Sequence, residues 1–169
     1  FDLSFYKRIY FNRNFFQFKS PNNIVKFINI MGCFYKEIIL QKKTRGIHLI
    51  TEEIYNKCEE IKNIEKGLMT VFIKHTSASI CINENTDELV RKDLKYYLDK
   101  NIPENDPNYK HTIEGSDDMP AHIKTILIGN SVQIPVNKGK MSLGIWQGIY
   151  FCEHRNKSTN RKVVITINY

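Results

Sequence analysis

From residue 33 onward the polar and apolar positions settle into regular periods. Residues 33–41 (CFYKEIILQ) read as a strand. Thr51 then reads as a helix N-cap, with Glu52 and Glu53 in the first turn and Ile54, Cys58 and Ile61 on one face. Gly67 restarts the chain. Val71, Ile73 and His75 alternate with Phe72 and Lys74, and Ile80 to Ile82 follow as a short strand. Residues 86–100 give the clearest helical pattern, with Val90, Leu94, Tyr97 and Leu98 in line and Asn101 and Pro103 at its end. After a polar loop over 103–117, a third helix begins near Pro120. It is expected to bury Ile123, Ile126 and Leu127 and to stop at Gly129. Val132, Ile134 and Val136 alternate, a turn at Asn137-Lys138-Gly139 leads into 141–153, and Val163, Ile165 and Ile167 share a face of the last strand. Strands outweigh the three helices, and hairpin-type connections dominate the C-terminal part. The pattern predicts one compact α+β domain over 31–169 with largely antiparallel sheets.

Residues 1–30 do not share these periods. They hold seven of the chain's ten Phe and one acid, Asp2. The net charge is +7, and +4 of it falls in the first 31 residues. The segment reads as an N-terminal extension, disordered and dispensable for the fold. It is either transit-like, as its basic, acid-poor composition allows, or non-native translated sequence, with Met31 as the natural start. With the charge concentrated there, a nucleic-acid partner for the folded part is not expected. No apolar run reaches 18 residues, mean hydropathy is −0.41, and no membrane partner is expected. Cys33, Cys58, Cys81 and Cys152 are too far apart for a CxxC clip and read as small core residues in a reducing compartment. The cytoplasm is the expected location, or an organelle if residues 1–30 are a transit segment.

Three stretches carry candidate chemistry. His75-Thr76-Ser77-Ala78-Ser79 sets three hydroxyls after a histidine between two apolar strands, a site or else a polar turn. His111 to His122 holds two imidazoles with Glu114, Asp117 and Asp118. His122 falls in the first turn of a helix, where the positive end disfavours protonated imidazole and leaves a nitrogen free for a metal or a proton. A solvated loop with Asp118 as a helix cap is the alternative. Trp146-Gln147-Gly148 and Glu153-His154-Arg155 flank a strand whose glycines, Gly144 and Gly148, imply close backbone approach. Arg155 with Arg161 and Lys162 offers either a phosphate contact or a solvated turn. A glycine-rich phosphate loop, a GxSxG elbow and an HExxH pair are all missing from the sequence.

HTSASICINEN (75–85), HTIEGSDDMPAHIK (111–124), LGIWQGIYFCEHR (143–155) and the closing RKVVITI resemble the YjbQ-type family, also called secondary thiamine-phosphate synthases. The likeness runs from about Tyr35 to Ile167. It implies an antiparallel β-sandwich that assembles as a homotrimer, with sites at or near subunit boundaries. It also implies a secondary thiamine-phosphate synthase activity, which joins a pyrimidine methyl diphosphate to a thiazole phosphate and releases pyrophosphate. The family's histidines carry over to His75, His111 and His122. These are the expected ligands of a divalent metal, zinc by preference, with a fourth position open. His75, Ser77, Glu114, Asp118 and His122 are the expected catalytic residues. Thr76, Ser79, Trp146, Gln147 and Arg155 are the expected contacts to a small phosphorylated metabolite. The alternative is a non-catalytic trimer that binds a small anionic metabolite through the metal.

Overall fold

The computed structural model describes residues 10–12, 15–19, 25–29 and 32–169. It divides into two units, one up to Gly32 and one from Cys33 to Tyr169. In the first, β1 (Tyr10–Asn12), β2 (Phe15–Lys19) and β3 (Val25–Asn29) form an antiparallel meander. Regular strands thus stand where the sequence shows no alternation. Met31, the expected start, lies outside the described residues.

In the second unit the alternating segments build a five-stranded antiparallel sheet in the order β4-β11-β6-β8-β9. Its strands are β4 (Cys33–Ile39), β6 (Lys66–Ile73), β8 (Ser131–Asn137), β9 (Lys140–Met141) and β11 (Lys162–Asn168). Val163, Ile165 and Ile167 lie opposite Ile73, Val71 and Met69, so one register puts all six on the buried face. A second antiparallel sheet, β5-β10-β7, is made of β5 (Gly46–Leu49), β7 (Ala78–Glu84) and β10 (Gln147–Glu153). Its Ala78, Ile80, Ile149 and Phe151 meet the first sheet in a shared core, which makes the expected sandwich. Gly148 makes a close approach, because a Cβ there would lie 2.7 Å from the Leu49 side chain, which would have to move.

The other face of the small sheet carries Ser79, Tyr150 and Cys152 and is covered by helices. These are α2 (Glu88–Asn101), capped by the Asp87 carboxylate on the Leu89 amide, and α3 (Asp118–Ile128), ended by Gly129. The first helix, α1 (Thr51–Lys57), tightens into a 3-10 turn over Glu59–Asn63, yet Ile54, Cys58 and Ile61 remain buried as expected. Thr51 is not a cap. Its Oγ1 accepts the Ile149 amide at 2.8 Å and ties α1 to β10.

The buried face of α3 is the opposite of the expected one. Ile126 and Leu127 are 81% and 67% exposed, while Ala121, Lys124 and Thr125 are buried. An ion pair lies on the buried face. Lys124, 2% exposed, reaches Asp99 of α2 at 2.6 Å, and Asp99 also takes Arg45 and Lys95. Periodicity weighs side chains by hydropathy and does not register a buried salt bridge. Among the cysteines, Cys58 and Cys152 are buried, but Cys33 is exposed and Cys81 half-buried, and all four are free. No helix of the described residues is long and apolar enough to cross a membrane.

Candidate functional site

His111 sits in the polar loop before α3, which turns back at Gly115 with φ +116°. Asp118 is the first residue of α3, and His122 follows one turn later on the same face. The Asp118 side chain is 2% exposed. Its Oδ1 accepts a close bond from Arg155 Nη1, and its Oδ2 lies 2.8 Å from His111 Nε2 and 3.5 Å from His122 Nε2. Ligand atoms of His111, Asp118 and His122 all fall within 4.8 Å of one another. Atoms bound tetrahedrally to zinc at ~2.0–2.1 Å lie roughly 3.3 Å apart, so the two measured separations bracket that spacing.

The chemistry of the three donors fits a cation as well as their spacing does. His122 Nδ1 lies 2.9 Å from the Thr76 carbonyl oxygen. A carbonyl only accepts, so Nδ1 carries the hydrogen and neutral His122 turns its Nε2 lone pair toward Asp118 Oδ2. In this tautomer the unprotonated Nε2 lies 3.5 Å from Asp118 Oδ2, and a metal ion between them would draw both. The Thr76 carbonyl also orients the ring, as outer partners of metal-bound histidines do.

Arg155 clamps the acids beneath. Its Nε donates to Asp117 Oδ2 at 3.2 Å and its Nη2 to the Glu114 carbonyl at 2.8 Å. Burial alone would raise the Asp117 pKa, but the Asn156 amide and Arg155 outweigh it and hold the carboxyl below its usual range. Arg155 is therefore committed to Asp117 and Asp118. A contact from Arg155 to a substrate would compete with these bonds.

Within one chain His75 does not join the candidate cluster, in which Asp118 stands with His111 and His122. His75 Nε2 accepts the Lys162 amide at 2.9 Å, and its Nδ1 lies 3.4 Å from Arg161 Nη1. Burial, then the Arg161 charge, lowers its pKa. His75 and His122 do line one open hollow of about 490 Å³, with Thr76, Thr125 and Ile126. Ser77 lies nearby, its Oγ 3.3 Å from Arg161 Nη1. Glu114 is exposed, 3.8 Å from Arg155.

The other expected contacts lie elsewhere. Ser79 is fully buried and pairs its Oγ with His154 Nε2 at 2.8 Å, so it is closed to a ligand. Trp146 and Gln147 stand at the opposite end of β10 from Glu153. There Gln147 Oε1 closes the loop on the Gly144 amide at 2.8 Å, and the Asn85 amide bonds the Trp146 carbonyl at 2.9 Å. Within one chain they do not reach the histidines. The residue underweighted by sequence is Arg161. Glu153 grips it through Nε at 2.8 Å and Nη2 at 2.6 Å, and both side chains are buried. A charged residue opening an apolar strand was its signal.

The family model for UPF0047 protein YjbQ-like matches residues 36–169. The chain belongs to this family. A YjbQ-family relative, UPF0047 protein YjbQ of Escherichia coli O157:H7, is 41% identical over 134 residues, which is 79% of this chain and 96% of that protein. A YjbQ/UPF0047 crystal structure from Clostridium acetobutylicum superposes with a TM-score of 0.66 at 37% identity, covering 79% of this chain and 98% of that one. A YbjQ-like protein of unknown function from Sulfolobus solfataricus P2 gives 0.71 at 21% identity and 82% and 99% coverage, a likeness of fold alone. The YjbQ match begins at Lys36, within β4, and so takes in the sandwich and the whole His111–Asp118–His122 set.

Proposed function

We propose that the protein is a metal-dependent enzyme acting on a small phosphorylated metabolite, by the thiamine-phosphate-synthase-type substitution that its sequence resemblance implies. The convergence of His111, Asp118 and His122 on one point carries this reading. In the reaction a thiazole nitrogen forms a bond to the methylene carbon of the pyrimidine while the bond from that carbon to the diphosphate oxygen breaks. Pyrophosphate leaves with the electron pair. A divalent ion on the three ligands, zinc by preference, would supply positive charge to such a phosphorylated group. The chain's own part is to orient. Thr76 fixes the His122 ring, Arg155 fixes Asp118, and Ile126 beside His122 keeps one wall of the hollow apolar.

We also propose a homotrimer. Tyr35, Leu68 and Phe72 are exposed on the outer face of the five-stranded sheet, an apolar surface of the kind that subunits cover.

Metal-free protein is to be given zinc, the pyrimidine methyl diphosphate and the thiazole phosphate. The expected result is zinc-dependent formation of thiamine phosphate with an equal amount of pyrophosphate, lost in His122→Ala. Zinc binding without turnover would leave the non-catalytic binder. Failure to bind zinc would overturn the metal centre itself.

A further inference from the structure

A second hollow adjoins the one beside His122. It measures about 370 Å³ and is lined by Phe72, Lys74, His75, Thr76, Ser77 and Asn130. His75, Thr76 and Asn130 wall both, so the two form one groove with His122 at one end and Lys74 and Ser77 at the other. Arg161 lies behind the second end with its side chain 7% exposed. Glu153 occupies its Nε and Nη2, and the remaining Nη1 is turned to Ser77 Oγ at 3.3 Å and His75 Nδ1 at 3.4 Å.

His75 meets more donors than it can accept. A neutral imidazole has one accepting nitrogen. The Lys162 amide, at 2.9 Å, takes Nε2, so Nδ1 carries a hydrogen. A guanidinium only donates. The contact between His75 Nδ1 and Arg161 Nη1 is therefore donor against donor, and no hydrogen bond can form between the two. Ser77 Oγ accepts from Arg161, which leaves its own hydrogen to give. Three donors, two from the stretch between β6 and β7 and one from the start of β11, thus converge with the acceptor still to come. The rim is cationic as well, since Lys74 and Lys162 share the single carboxylate of Glu37 at 2.7 and 3.3 Å.

We infer that His75 Nδ1–H, Ser77 Oγ–H and Arg161 Nη1–H form an oxyanion site, and that its ligand is a phosphate group of the substrate. The identity of the substrate rests on the function proposed above, whereas the donor cluster stands apart from the metal ligands. A molecule held there by its phosphate would extend along the groove toward His122. Arg161 brings little net charge, because Glu153 balances it. Its contribution is a fixed donor whose reorganisation cost is already met by burial.

The test titrates inorganic phosphate into the full-length, metal-free protein by calorimetry and by phosphorus NMR, alongside Ser77→Ala and His75→Phe. Circular dichroism verifies that the variants are folded. Each lost donor is expected to weaken phosphate about tenfold, in line with hydrogen bonds to a charged group. Acetate, with two oxygens in a plane, is expected to bind at least tenfold more weakly than phosphate. No phosphate binding by the wild type, unchanged affinity in folded Ser77→Ala, or equal acetate binding would each overturn the site. Zinc uptake is read in the same samples. Phosphate binding without zinc uptake would retain this site and remove the metal centre, and the reverse result would do the opposite.

Discussion

His122 Nδ1 lies 2.9 Å from the Thr76 carbonyl oxygen, and this bond joins α3 to the chain between β6 and β7. It fixes one tautomer of His122 and aims the other nitrogen at Asp118. The stretches around His75 and His122, more than forty residues apart, thus meet through a backbone atom rather than through their two imidazoles.

The first prediction concerns the ligand set. His111→Ala, Asp118→Asn and His122→Ala should each lower zinc affinity by tenfold or more. His75→Ala and His48→Ala should retain it. Titration with a competing chelator measures this. Loss of zinc by His75→Ala equal to that of His122→Ala would restore the three-histidine site read from sequence.

Asp99 balances three cations, and Lys124 is the buried one. Burial works against its ionisation, but Lys124, Lys95 and Arg45 hold its carboxyl far below the usual carboxylate range. Asp99→Ala leaves a buried ammonium without a partner and should cost about 3–5 kcal/mol. Lys124→Met removes that ammonium and should cost less. Urea denaturation of the two variants gives the order, and an Asp99→Ala protein as stable as Lys124→Met would contradict it.

His154 sets a pH dependence. Burial, then the charges of Lys124, Arg45 and Arg161, lower its pKa from 6.5 to about 3. The unfolded chain binds this proton below about pH 6.5 and the folded chain does not, so stability must fall as pH drops below that value. His75, also lowered, adds in the same direction. Between about pH 6 and 5 the wild type should lose up to roughly 1.4 kcal/mol per pH unit for each such proton. His154→Gln should show a visibly shallower slope in urea midpoints over that range. Parallel slopes would show that His154 titrates normally in the fold.

The outer face of the large sheet bears on assembly. Tyr35 lies opposite Thr166 of β11, and Thr166 lies opposite Thr70 of β6, next to Leu68 and Phe72 in the same row. Leu68→Glu should convert a trimer to monomers in sedimentation velocity without changing the circular dichroism of the fold. A wild-type monomer at micromolar concentration would remove the need for any such interface.

Alternation by itself determined the strands of the large sheet, while the sandwich was implied by the family resemblance and is made by the facing of the two sheets. Val163, Ile165 and Ile167 in β11, and Val71 and Ile73 in β6, can bury a row only as strands, whereas their order, with β11 between β4 and β6, was decided in the packed sheet. The sequence likewise marked the stretch from His111 to His122 as candidate chemistry, with a solvated loop capped by Asp118 as the alternative, and the metal set of His75, His111 and His122 came from the family resemblance. Three matters were decided only in the tertiary structure. The buried face of α3 carries the Lys124–Asp99 ion pair and leaves Ile126 and Leu127 exposed, against the face that hydropathy marks. Ser79 and Arg155 were drawn into internal bonds, since a hydroxyl or a guanidinium looks the same in sequence whether it meets His154 or a ligand. The exchange of His75 for Asp118 followed from the Lys162 amide, which β11 presents at 2.9 Å to the His75 ring. A pattern of residue types specifies which face of a strand is buried. Which partner each polar atom finds is specified by the distances that only the packed sheets and helices impose.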